Sequence, residues 1–306
     1  MAVAKLSISV QIMNTRAQVA LLPDGRRLHL HDGPIDLIIE AFGSKPEVWC
    51  AYAAAARRFA TILDELSSEL PSLRQAAGPD GPRLSGIVAR RMLDAVLPYA
   101  ADTFITPMAA VAGAVAEEVL QAMTSSAHLA RAYVNDGGDI GLHIEPREEF
   151  IIGMIERPDR PSLFGTVKLC GSDPVRGIAT SGWRGRSFSL GIADAVTVLA
   201  ESAPAADAAA TVIANAVDLP GHPAIARVPA CEIAPDSDLG ARFVTQDVGQ
   251  LSEKEIALAL DFGANTARSL LDRGLICAAA LNLQGETRVV GTAHLRLTST
   301  RSLTHA

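Results

Sequence analysis

The chain opens with short runs in which apolar and polar residues alternate: residues 6–12 (LSISVQI), 15–22 (TRAQVALL) and 26–31 (RRLHLH). Alternation at period two turns every second side chain to one face, so these runs predict strands. Pro23, Asp24 and Gly25 between the second and third supply the turn of an antiparallel meander. After Pro46 the apolar positions recur every three or four residues through Trp49, Ala53, Phe59, Ile62 and Leu66, which predicts a long helix over 48–70 ending before Pro71. Residues 75–83 (QAAGPDGPR) form a loop, and helices follow at 84–99 and 107–123. From Ala130 to Ala200 the period returns to two in RAYVND, IGLHI, FIIGMIE, GTVKLC, GIATSG and SFSLGI (187–192), a multi-stranded sheet. A helix over 202–217 with Ser202 as its cap comes next, then a helix over 252–273 opened by Ser252 and Glu255, a near capping box. The strands LICAAALNL and TRVVGTAHL close the chain around Gln284 and Gly285. Strands in blocks separated by blocks of helices, without βαβ alternation, predict an α+β fold. We expect one domain over 1–306, with an N-terminal subregion 1–75 and a nucleotide-binding core 100–220.

Composition narrows the function classes. With 306 residues, 49% hydrophobic and 20% charged, the chain can bury a large core and is not disordered. A net charge of -7 and only 4% aromatic residues leave neither a basic stripe nor a stacking platform, so nucleic acid is not an expected partner. Cys50, Cys170, Cys231 and Cys277 lie far apart with no ligand-type spacing, which argues against zinc and for a reducing compartment. The first dozen residues lack the basic, apolar, small-residue order of a secretory signal. The longest uncharged stretch, 103–116, contains Pro107 and is too short to span a bilayer. A cytoplasmic protein with a small-molecule ligand is expected; self-association is left open.

Three constellations could carry chemistry. Asn135-Asp136-Gly137-Gly138-Asp139 follows a strand; its glycines permit close approach of backbone N–H groups to a ligand, and its carboxylates could bind a cation, but the same residues make a tight hairpin turn. Thr180-Ser181-Gly182 leads into a loop with Arg184 and Arg186, either an anion-binding edge or a plain polar loop. Asp207 and Thr211 are four apart on one helix face, either hard-cation ligands or a residue complementing the helix dipole beside a back-bonded Thr. No nucleophile elbow, P-loop, zincin or dinucleotide fingerprint is present, and none of the seven histidines has ligand spacing.

The order of these segments, with FITPMAAVAGAVA at 104–116, VNDGGDI, GIATSG, ADAVTV and ADAAAT, resembles the ApbE-like superfamily, whose characterised members are Mg²⁺-dependent FAD:protein FMN transferases. It looks closest to the signal-less branch of that superfamily, and the tail GLICAAALNLQG matches the same branch. The resemblance implies a layered antiparallel sheet with packed helices, related to the T-fold. It implies an FAD-type or related heterocyclic nucleotide bound by Thr106, Met108, Asn135, Gly137, Gly138, Asp139, Thr180, Ser181 and Gly182, and Mg²⁺ held by Asp207, Thr211 and the carbonyl of Ala109. The transferases carry A-K-G where this chain has Val111-Ala112-Gly113, and H-I-I-D-P where it has Ser187-Phe188-Ser189-Leu190-Gly191. Three functions follow as expectations: a transferase-like enzyme of cofactor metabolism, a true FAD:protein FMN transferase, or a non-catalytic binder of a flavin- or pterin-type ligand.

Overall fold

The alternating runs near the N-terminus fold as the meander they predict. A computed structural model describes residues 16–155, 163–291 and 295–297; the expected strand at 6–12 and part of the run TRVVGTAHL lie outside the described residues. Strands β1 (Gln18–Leu21), β2 (Leu28–Asp32) and β3 (Ile35–Phe42) lead into helices α1 (Lys45–Ser68), α2 (Leu70–Leu73), α3 (Ile87–Val96) and α4 (Val111–Ser126). The middle of the chain carries β4 (Arg131–Asp136), β5 (Asp139–Ile144), β6 (Glu149–Ile155), β7 (Leu163–Cys170), β8 (Gly177–Ser181), β9 (Ala195–Ala200) and helix α5 (Ala203–Ala216). The last third holds β10 (Ile225–Pro229), α6 (Ala230–Ile233), β11 (Phe243–Val248), α7 (Glu253–Asp272), β12 (Ala278–Leu283), β13 (Glu286–Val290) and β14 (Leu295–Leu297).

Among the described residues nine strands form one antiparallel sheet in the order β1-β2-β3-β4-β5-β8-β9-β12-β13. One face is covered by helices, which explains the alternation in β4: Ala132 and Val134 are buried in a cluster with Phe59, Met92 and Val119. Farther along the sheet, Val196, Val198 and Leu281 pack beneath α5 and α7. The opposite face, through Leu142, Ile144, Ile178 and Leu199, meets Val167 and Leu169 of β7, part of a small sheet ordered β14-β7-β6. Arg131 joins the two layers, its guanidinium 4.3 Å from the ring centre of Phe42 and 5.2 Å from that of Phe150. The α+β layered expectation therefore holds.

Helix starts follow local chemistry. Ser252 and Glu255 form a complete capping box, each satisfying a backbone N–H of the other. Ser202 accepts from the N–H of Ala205, with Pro204 in the first turn of α5. The expected helix over 107–123 instead begins as a short 3₁₀ turn, Pro107–Ala110, and continues as α4.

One expected strand needs correction. Residues 187–192 alternate in polarity but form a loop, because other elements satisfy their polar groups. Asn215 takes the N–H of Leu190 at 2.9 Å, while Thr245 donates its N–H to the carbonyl of Ser189 and its hydroxyl to that of Gly191. The strand in this region is β9, which is buried at every position and so shows no alternation. The β10–β11 hairpin carries no strong alternation and is not among the expected strands.

Helices α4 and α5 cross where Gly113 meets Ala203. A Cβ at Gly113 would collide with the carbonyl of Ala203 and the Cα of Pro204, so glycine sets the approach of the two backbones. Gly113→Ala is expected to force the helices apart and destabilise the fold by about 1–3 kcal/mol, read as a lower denaturant midpoint with an unchanged slope. An unaltered midpoint would show that the crossing has slack.

Candidate functional site

The segment 135–139 is the β4–β5 turn, with Asp136 paired to Asp139. Gly137 and Gly138 have φ of +64° and +120°, conformations that side-chain-bearing residues avoid, and Asn135 Oδ1 accepts the N–H of Gly138 at 2.8 Å. The turn reading is thus satisfied. The same turn also places two carboxylates at the junction between the halves of the sheet.

That junction is thin. The β5–β8 ladder consists of only two residue pairs, Ile140 with Ile178 and Gly141 with Gly177. Where it opens, Asp139 Oδ1 takes the N–H of Thr180 at 3.2 Å, so a side chain continues the pairing that the strands abandon. Helix α5 lies over this gap and brings Asp207 against Asp139, close enough for their charges to interact.

Asp207 has a second engagement. Helix α4 starts at Ala110 without a side-chain cap of its own. Its first-turn N–H groups at Ala112 and Gly113 instead donate to the Asp207 carboxylate, the Gly113 bond being 3.0 Å. Glu117 on α4 returns the arrangement by accepting the N–H of Ala203 at the start of α5. Each helix is therefore capped by an acid from the other. Of the two alternatives for Asp207, a hard-cation ligand or a complement to its own helix dipole, the second takes a different form: the carboxylate serves the neighbouring helix.

Three carboxylates share this small volume. Asp136 is 5% exposed, whereas Asp139 and Asp207 keep a partly accessible edge. Loss of hydration pushes Asp136 up to about 7, offset in part by Arg186. Burial first, and then the charge of Asp207, raise Asp139 well above the usual carboxylate range. Asp207 is likewise raised to about 7 by burial, against the pull of its two N–H donors. A cation between them would relieve this strain, and the donors are all oxygen, which suits Mg²⁺ rather than zinc. Among the described residues no three Asp, Glu, His or Cys side chains stand at metal-ligating spacing. Asp139 and Asp207, with Thr211 one turn along α5 from Asp207, are the oxygen-bearing side chains this region offers, and the chemistry of that set suits Mg²⁺; the expected Ala109 carbonyl lies in the turn that precedes α4.

The other expected residues divide. Ser181 ends β8 next to Thr180, whose N–H meets Asp139, and Gly182 follows it, lying against the backbone of Asp194. Thr180 contributes its N–H, but its hydroxyl bonds that of Thr197 at 2.9 Å on the face of the sheet away from α5. The Pro107–Ala110 turn leads directly into the capped start of α4. Within it Met108, partly buried, packs against the cluster that holds Met92 and Val119, and Ala109 packs against the α5 cluster. Thr106, just before the turn, donates to Asp238 at 2.5 Å.

Arg186 and Asp136 belong to the constellations named from the sequence, whereas Asp194 was not singled out there. Arg186 reaches over Gly137 to within 3.9 Å of Asp136. Asp194, buried, receives Trp183 Nε1, Arg184 Nε and the N–H of Gln284, and so anchors the loop after β8. Asp136 had a readable signal: it shares the core face of β4 with Ala132 and Val134, an unusual place for a charge. Two open clefts, of about 440 and 410 Å³, lie elsewhere on the molecule.

Raised carboxylate pKa values make the ligand-free protein more stable in mild acid. Between an unfolded value near 3.8 and a folded value of about 7, the folded state binds more protons at Asp136 and Asp207, so their contribution falls as pH rises through that window and is gone above it. Asp136→Asn is expected to raise stability at pH 8 by on the order of 1–3 kcal/mol, a gain that shrinks towards pH 5. Thermal unfolding across that range checks it; a gain that persists or grows in acid would contradict the assignment.

The profile of the family described as AbpE bacteria matches residues 19–289. A UPF0280 protein of Methanopyrus kandleri is 40% identical over 129 residues, covering 42% of this chain and 48% of that protein. A UPF0280 protein of Methanosphaerula palustris is 34% identical over 165 residues, covering 51% and 63%. The chain thus spans about half the length of the curated relatives it matches. Among solved structures, the flavin transferase ApbE of Vibrio cholerae is 12% identical, covers 90% of this chain and 96% of its own, and superposes with a TM-score of 0.45. The flavinyl transferase ApbE of Pseudomonas stutzeri gives 13%, 92%, 94% and 0.41. No helix among the described residues is long and apolar enough to cross a membrane. With the family profile running through β1 to β13, the chain belongs to the AbpE bacteria family, within the ApbE-like group that its motifs resemble.

Proposed function

We propose that this protein binds a flavin-type or related heterocyclic nucleotide together with Mg²⁺ at the Asp139–Asp207 pocket and acts as a transferase-like enzyme of cofactor metabolism. The observation that carries the reading is the pair itself: Asp139 and Asp207 lie near enough for their charges to interact, each is raised by burial, and Asp207 closes the start of α4. A bound Mg²⁺ would neutralise pyrophosphate charge and the charge that develops on a departing nucleotide. Asp207, Thr211 and Asp139 would hold it, the Pro107–Ala110 turn and the 135–139 turn would border the ligand, and Arg186 would face its anionic portion. The chain offers position and charge in this reading, and no nucleophile of its own.

Calorimetric titration with FAD tests this reading. Wild-type protein is expected to bind FAD only with Mg²⁺ present, and Asp207→Asn and Asp139→Asn to weaken that binding at least tenfold. Asparagine keeps an oxygen for the α4 N–H groups; Asp207→Ala would also uncap α4, at a cost of about 1 kcal/mol. Magnesium-independent binding, or unchanged affinity in both variants, would overturn the proposal.

A second reading, ligand binding without efficient protein flavinylation, draws on two positions. Ala112 stands where the transferases carry lysine, and 187–191 contains no histidine. Loss of one charge-stabilising donor costs on the order of a hundredfold or more in rate. With FAD, Mg²⁺ and an acceptor domain, the mass gain of FMN is expected to accumulate at least that much more slowly than with a transferase carrying both groups. Comparable rates would show that these positions are dispensable.

A further inference from the structure

The larger cleft, about 440 Å³, lies between the exposed face of α3 and the first turn of α5, lined by residues outside the carboxylate pocket. Tyr99 lines this cleft with its ring buried, 3% of the residue being exposed, and its hydroxyl makes no hydrogen bond to another described residue. The hydroxyl is not among the buried unsatisfied groups, so it keeps access to the cleft, and burial of the ring pushes its pKa up to about 12, which keeps it a neutral donor. Arg90, also in the lining and exposed, acts on Glu69 through its charge but makes no direct ion pair among the described residues. Arg91 beside it is pinned by Glu118 at 2.9 Å and Gln121 at 2.8 Å. Arg273 is anchored close by on the carbonyl of Pro98, and Asp94 is the one acidic residue in the lining.

The first N–H groups of α5 are already committed, Ala203 to Glu117 and Ala205 to Ser202, so recognition falls to side chains, with the positive end of the helix adding its field. Ile87, Ala95, Pro98 and Leu275 supply apolar walls. We propose that this cleft is a second ligand site, taking a small organic anion whose phosphate or carboxylate head meets Arg90 and the Tyr99 hydroxyl while its apolar body lies on those walls. A neutral body alone would leave the phenol and guanidinium unpaired; an inorganic anion alone would leave the walls uncovered. The inference is independent of what the carboxylate pocket binds.

Titration of the full chain with phenyl phosphate, benzoate and benzyl alcohol, followed by calorimetry, tests it. Saturable binding of phenyl phosphate or benzoate is expected, the stronger of the two identifying the head group, with no saturable binding of benzyl alcohol. Tyr99→Phe keeps the buried ring and so the packing, and Arg90→Ala removes an exposed side chain; each is expected to weaken the preferred anion at least fivefold with unfolding temperature unchanged. Absence of saturable binding by either anion, or equal affinity in wild type and both variants, would overturn the proposal.

Discussion

The Asp207 carboxylate is the constraint on which the rest of this region depends. It sits on α5, closes the start of α4, and faces Asp139 on the far side of the sheet junction. Removing its charge would relieve repulsion, and removing its oxygens would leave the α4 N–H groups without partners. The fold therefore holds a carboxylate where isolated electrostatics would not favour one. Two N–H donors oppose the cost of burial without cancelling it, since the group remains raised. A strained polar group kept in place by surrounding structure is what a binding site requires, because a ligand or cation can then release energy on arrival.

The sheet provides the second half of the arrangement. Continuous pairing of β5 and β8 would have filled the space in which Asp139 stands; two residue pairs suffice to join the halves and leave the end of β8 open. The glycine turn after β4 sets the direction of Asp139, and Gly113 allows α5 close enough to α4 for Asp207 to reach its N–H groups. Main-chain economy at two glycines and one short ladder thus brings together residues that lie far apart in sequence. Glu117, capping α5 in return, makes the two helix starts mutually dependent, so a disturbance at either should be felt at both.

Much of this was legible in the residues. Period-two runs gave β1, β2 and β4 to β8, the three-to-four spacing gave α1, and Ser252 with Glu255 announced the cap that opens α7. The order of the short motifs pointed to the family and to residues that do meet: Asp139, the Thr180 backbone and Asp207. What could not be read was tertiary. A uniformly buried strand such as β9 has no alternation, and the alternating residues 187–192 are satisfied by Asn215 and Thr245 from distant elements. Nothing local in sequence says that Asp207 caps another helix, or that the Thr180 side chain turns away while its N–H turns in.

In the proposed function Asp139 and Asp207 form a cation site for a phosphate-bearing ligand. Anomalous diffraction from crystals grown with Mn²⁺ and FAD tests it most directly. One strong anomalous peak is expected within coordinating distance of Asp207, next to a phosphate of the nucleotide. A nucleotide bound elsewhere, or bound here with no metal peak near Asp207, would contradict it.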